Sequence, residues 1–240
     1  MRLKGFQKNG SPLNRPLCRS LFSLLVGLAG AALFFASGLS TGLDRGLYDF
    51  RASLSAKMSL SAKGGSVDSG PVELVFIDQY SLAWVEENLG FGWPWPRELY
   101  GILAEYCSQA KTVAFDILFT ETSSFGPEDD LRCARAMDKA GNVVLAEARD
   151  RFLTARRSAL PVENVRFGSV AAALDEDGVV RRYNPGSLDE PSFGLAVLDA
   201  DGRREGPPNN AETYLRFLGP SPSLPARNAA EVLSSALSLK

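Results

Sequence analysis

The chain has 240 residues, 45% of them apolar and 22% charged, with a formal net charge of −2 at pH 7. That is the composition of a folded protein, and it carries no electrostatic footprint for nucleic acid. Three cysteines and no histidine exclude a disulfide-dense scaffold, a four-cysteine zinc site, a Ser-His-Asp triad, a Cys-His dyad and any histidine-ligated metal.

Charge is distributed unevenly. Residues 1–19 carry Arg2, Lys4, Lys8, Arg15 and Arg19 and no acid, and the first acid in the chain is Asp44. Residues 20–43 are uncharged. As one helix they reach roughly 36 Å, enough for a hydrocarbon core of about 30 Å. The basic flank sets the N-terminus in the cytoplasm and everything from Asp44 onward outside. A cleaved secretory signal is the rival reading. The apolar run is longer than the usual signal core, and Phe35-Ala36-Ser37-Gly38 is a poor cleavage site. Cys18 precedes the run, so it is no lipoprotein cysteine.

Beyond the anchor, Leu43, Leu47, Phe50 and Leu54 recur at helical spacing, which predicts a helix over 44–58. Residues 59–70 are small and polar around Gly64-Gly65 and read as a flexible loop. A strand is predicted at 72–78, a short helix at 80–89, an irregular stretch at 90–96 and a helix at 97–110 that starts after Pro96. A second strand follows at 112–119, then a helix at 127–140 with acids in its first turn and Gly141 at its end, then a strand at 142–146. Strand and helix alternating in this way predict a parallel sheet with crossover helices. Residues 166–173 and 179–183 flank Asp177-Gly178, the signature of a hairpin. Residues 200–212 read as a polar loop before a last short strand at 213–218. The predicted fold class is α/β: an N-terminal transmembrane helix, then a mixed sheet with a parallel βαβαβ core and an antiparallel extension.

Asp78 ends the first predicted strand and Asp116 lies near the end of the second. If those strands are parallel neighbours, both carboxylates approach the carboxyl edge of the sheet, where open α/β folds bind ligands. They read either as a metal or acid/base pair, or as helix caps and partners of a base such as Arg97. Trp93-Pro94-Trp95-Pro96-Arg97 holds two large rings between backbone-fixing prolines. It reads as an aromatic ligand-binding wall or as a rigid plug over the sheet edge. Arg97 stands at a helix start, where the dipole disfavours a cation, so a partner carboxylate is expected from Asp78 or Asp116. Cys107 and Cys133 are open to a disulfide or to remaining buried thiols. Ser81 and Ser192 have no accompanying base.

The succession DRGLYDFRASL, VELVFIDQYSL, GWPWPRELYGILAEY, AKTVAFDILFTE, DDLRCARAMDKAGNVVLAEA, GSVAAALDEDGVVRRY and PSFGLAVLD resembles the CHASE type-two domain, an extracellular sensory module of bacterial transmembrane receptors. The resemblance covers residues 44–240 and rests on Ile77-Asp78, Trp95-Pro96-Arg97 and Phe115-Asp116 in that order. It implies a cytoplasmic tail over 1–19, an anchor over 20–43, a membrane-proximal helix and linker over 44–70 and a sensory domain over 71–240. It further implies a ligand-binding input outside the bacterial inner membrane and not an enzyme, and the one uncharged apolar run, at 20–43, makes the chain single-pass with its bulk outside. An exported carboxylate-dependent, metal-binding enzyme and a structural envelope protein are the alternatives. No cofactor, resident metal or catalytic residue is implied. The expected partners are the membrane and a small-molecule or envelope ligand of unassigned identity, with a homodimer left open. Ligand contacts are expected from Asp78, Trp93, Trp95, Arg97 and Asp116. The family implies a further apolar strand and an output domain after residues like 229–233. The chain is therefore read as C-terminally truncated, and the region after Gly219 is expected to be weakly ordered.

Overall fold

The computed structural model describes residues 15–37, 39–62, 72–148, 158–187, 190–203, 213–215 and 224–239. Two compact units comprise Met1–Gly65 and Ser66–Lys240.

In the first unit, helix α1 covers Arg15–Ala36 and helix α2 covers Leu39–Ala62. Ser37 closes α1: its amide donates to Leu33 O at 2.9 Å and its Oγ to Phe34 O at 2.8 Å. The apolar run expected to form one helix over 20–43 is thus divided. Its part within α1, Ser20–Ala36, extends only about 25 Å. Among the described residues no single helix is long and apolar enough to cross a membrane. The pair Ser20–Ala36 and Thr41–Ser55, bent by 71°, passes that test together by length and composition. Leu21, Phe22, Leu25, Leu28, Leu33 and Phe35 of α1 are all exposed. Most of the loop expected over 59–70 lies outside the described residues.

The second unit contains, in order, β1 (Leu74–Phe76), α3 (Gln79–Leu89), α4 (Arg97–Tyr106), a 3-10 turn (Cys107–Gln109), β2 (Val113–Phe115), α5 (Pro127–Ala140), β3 (Val143–Glu147), β4 (Arg166–Ser169), β5 (Arg182–Tyr183), α6 (Phe193–Ala200), β6 (Thr213–Tyr214), β7 (Ala226–Asn228) and α7 (Ala229–Ser238). The helix ends follow from local chemistry. Asp78 caps α3, and Gly90 and Gly141 end α3 and α5 in the left-handed conformation at φ 77° and 72°. Pro127 occupies the first turn of α5, where its missing N–H costs nothing.

A three-stranded parallel sheet runs β2-β3-β4. All five residues of β3 are buried, as a parallel strand covered on both faces requires. Val143 and Leu145 join Leu99, Leu103, Cys133 and Met137 in the main core. Ala146 stands opposite Gly168 in the register, and α6 packs directly on that glycine. A Cβ on Gly168 would lie 2.5 Å from Phe193 Cα.

Three expectations are corrected. First, β1 does not join β2 in a βαβαβ core. It pairs in parallel with β7, Leu74 opposite Ala226 and Phe76 opposite Asn228. Second, 166–173 and 179–183 do not form a hairpin ladder. The turn closes, with Gly178 at φ 79° and Asp175 N donating to Val179 O at 3.0 Å, but β4 adds in parallel to the open edge of β3. The antiparallel pair is β5 with β6. Third, the region after Gly219 contributes β7 and a well-packed α7, whose Ala229, Ala230, Val232, Leu233 and Ala236 are buried. The small side chains that make this stretch a poor strand let α7 approach α3 and α4 closely. Residues 216–223 lie outside the described residues.

Candidate functional site

Trp93, Trp95 and Arg97 come together at the entry to α4. Trp95 is 2% exposed and belongs to the core, whereas Trp93 is 59% exposed. The two rings meet edge to face at 6.0 Å between centroids. The contact series continues inward from Trp95 to Tyr100 at 6.1 Å and from Tyr100 to Phe119 at 5.3 Å. The plug reading therefore holds for Trp95, and Trp93 alone offers an aromatic surface to solvent. Arg97 lies across this group with its guanidinium carbon 4.8 Å from the centre of the Phe119 ring, a cation–π placement. Its Nη2 donates to Glu121 O at 3.3 Å.

The carboxylates that serve this site are not those expected from the order of strands. Asp129 and Asp130, in the first turn of α5, are 0% and 4% exposed. Asp129 accepts from the amides of Arg97 at 2.7 Å and Glu98 at 2.9 Å, and from Ser123 Oγ. It thereby supplies the N-terminus of α4 with the cap that Pro96 cannot give. Asp130 accepts from Ser123 N at 2.9 Å and lies 3.8 Å from Arg97 Nε. These two acids read in the sequence as ordinary first-turn complements to the dipole of their own helix. The signal of their role was a run of three acids, Glu128-Asp129-Asp130, where one suffices for the dipole.

Asp78 is elsewhere. Its Oδ1 accepts from Ser81 N and Ser81 Oγ, both at 2.8 Å. Those hydrogen bonds, the backbone one first, hold its carboxyl below the usual carboxylate range. Ser81, fully buried, in turn accepts from Ala230 N at 3.1 Å. Asp78 and Ser81 thus join the start of α3 to the start of α7. Asp116 is exposed after β2, and Asp78 and Asp116 follow strands of different sheets. No hydrogen bond or ion pair links Arg97 to either acid among the described residues. That corrects the expected pairing.

Burial pushes the Tyr100 phenol and the Cys133 thiol up to about 12, so both are neutral hydrogen-bonding groups at physiological pH. Cys107 and Cys133 are free. Among the described residues no group of His, Cys, Asp and Glu could hold a metal ion. A groove of about 220 Å³ lies between α4 and α5, bounded by the ion pairs Glu98–Arg132 at 3.1 Å and Glu105–Lys139 at 3.0 Å. None of the five expected ligand residues lines it. The arrangement is suited to holding a contact surface in shape: the one carboxylate beside a hydroxyl here, Asp129 next to Ser123, is buried and taken up with the amides of Arg97 and Glu98.

The model of one protein family, described as the CHASE2 domain, matches residues 24–238. No curated protein and no solved structure matches the chain.

Proposed function

The chain belongs to the CHASE2 domain family, and from that membership we propose that it is a membrane-anchored, extracytoplasmic sensory domain of a bacterial receptor. The family match is the observation that carries the reading, since CHASE2 is a sensory extracellular domain. The anchor is supported by the uncharged residues 20–43 behind five cations. Ligand contact is assigned to the exposed face of Trp93 and to the polar rim around Arg97. Trp95 and Asp129 hold that rim in place, and Asp78 and Asp116 remain lesser candidates. The site receives a ligand and catalyses nothing. The ligand-dependent output belongs to a partner or to a further domain.

Topology tests this reading directly. An alkaline phosphatase reporter fused after Gly65 should be active, because it is exported, and a β-galactosidase reporter at the same point should be silent. The reverse pattern would overturn the proposal. Replacing Arg15 and Arg19 by Glu should reduce export if the N-terminal cations set the orientation.

A further inference from the structure

Two loops meet at the entry to α4. Residues 90–96 and 120–126 are joined by the edge-to-face contact of Phe91 with Phe125, 5.7 Å between centroids. The bond from Arg97 Nη2 to Glu121 O at 3.3 Å ties the second loop to the start of the helix. The rim presents an open aromatic surface, with Trp93 59% and Phe125 48% exposed. Trp93 meets the buried Trp95 edge to face, so the exposed ring is backed by the core.

The polar groups beside this surface are not used up. The Arg97 side chain is 15% exposed and that of Asp130 is 6% exposed. Of the N–H donors in the Arg97 guanidinium fork, only Nη2 finds an acceptor among the described residues. Nε lies 3.8 Å from Asp130 Oδ1, too far for a hydrogen bond. Asp130 Oδ1 is buried and receives no hydrogen bond. Native structures pair the great majority of such atoms, with protein, water or ligand. Open donors next to an open acceptor, beside an exposed indole, make an apolar wall with a few polar groups, the composition of a small-molecule site.

We propose that this rim binds a neutral saccharide, with a sugar ring stacked on Trp93 and its hydroxyls directed to Arg97 and Glu121. The proposal names the ligand class of the contact assigned above and rests on that assignment. Three features select the class. A hydroxyl both accepts and donates, so one ligand group type satisfies the fork of Arg97 and the carboxylate of Glu121, which is exposed on the same rim. Charge disfavours ions. The buried Asp129 and Asp130 stand beside Arg97, so a carboxylate or phosphate meets no net positive charge. An ammonium offers no acceptor to the open donors of Arg97. The C–H face of a sugar ring is flat and weakly positive, which suits the negative face of the indole.

The test uses the full chain, purified without sugar-based detergent, in calorimetric titrations. The probes are chitotriose and maltotriose, with choline, citrate and phenylalanine as a cation, an anion and a zwitterion. Saturable binding of at least one trisaccharide is expected, and none of the three charged probes. Trp93→Ala should weaken that binding about tenfold or more; Trp93 is exposed, so folding is not at stake. Co-sedimentation with isolated peptidoglycan sacculi, released by chitotriose, assigns the sugar to an envelope glycan. Trisaccharide binding without co-sedimentation assigns it to a free saccharide. Binding of neither trisaccharide and no retention on sacculi overturns the proposal. Saccharide binding unchanged by Trp93→Ala overturns the site. Binding of a charged probe that Trp93→Ala abolishes would keep the ligand contact at Trp93 and refute the saccharide. The reporter at Gly65 reads independently. Saccharide binding with a cytoplasmic reporter would leave this site and refute the extracytoplasmic placement, and an exported reporter without saccharide binding would do the opposite.

Discussion

The carboxylate of Asp129 accepts the backbone N–H of Arg97 at 2.7 Å across a separation of 32 residues. With the second bond from Glu98 N at 2.9 Å, one buried side chain on α5 terminates α4 and fixes the direction in which Arg97 leaves the backbone. The cation is tolerated at a helix start because Asp129 and Asp130 stand beside it. Stability and site geometry are therefore coupled at this point, and the first prediction follows from that coupling.

Asp129→Ala should cost about 3 kcal/mol, because it removes a cap and leaves two amides short of an acceptor. Asp129→Asn should cost less, since its carbonyl still accepts one of them. Urea unfolding of the chain, followed by circular dichroism, reads both. Equal losses for Ala and Asn would contradict the capping role.

Trp93 and Trp95 should separate cleanly. Trp95→Ala empties a core position and should destabilise by roughly 3–5 kcal/mol. Trp93→Ala removes a ring that is mostly in solvent and should change the midpoint little. If ligand contact is at Trp93, quenching of tryptophan fluorescence by a ligand in a Trp84→Phe background should disappear only in the Trp93 variant.

Gly168→Ala should destabilise by at least about 1–3 kcal/mol, the usual range for overpacking. The added Cβ would lie 2.5 Å from the backbone of Phe193 and 2.9 Å from Ala196 Cβ, and neither can swing away. Gly92→Ala, where nothing lies within 4 Å, is the control and should be close to neutral. Thermal midpoints of the two variants decide the point.

Acid sensitivity should trace to the turn around Asp175. Hydrogen bonds from Arg182 at 2.8 Å and Arg181 at 3.0 Å hold its carboxyl below the usual range. A folded value lowered in this way adds stability that is fully present above the unfolded value, about 3.9. It is lost as pH falls through the folded value. Asp175→Asn should thus be less stable than the parent at pH 7, and the gap should shrink as pH falls below about 4. A gap in melting temperature that stays constant from pH 7 to pH 3 would count against this linkage.

Thiol reactivity should follow burial. Cys133, 0% exposed and raised to about 12, should resist a maleimide until the chain unfolds. Cys107, only half-buried and also raised by burial, should react slowly in the native state. Mass spectrometry before and after urea distinguishes them, and rapid native labelling of Cys133 would refute its placement in the core.

Local signals in the sequence determined most elements. The 3.6-residue periodicity of 97–106 and 127–140, Pro96, Pro127 and Gly141 define α4 and α5, and the apolar run at 143–146 is buried as β3. The succession of motifs also determined the family. The tertiary structure alone decided which strands are neighbours. The edge of β1 is taken by Ala226–Asn228, and β4 rather than a hairpin fills the edge of β3. Strand pairing depends on which edges the rest of the fold leaves open, and no local period encodes that. It decided the site in the same way. Asp78 and Asp129 are each an acid near a helix start, yet one reaches its own helix and the other reaches across to α4. Spacing along the chain is the same kind of signal in both cases. Only the packing of α5 against α4 brings the orphan amides of Arg97 and Glu98 within reach of Asp129.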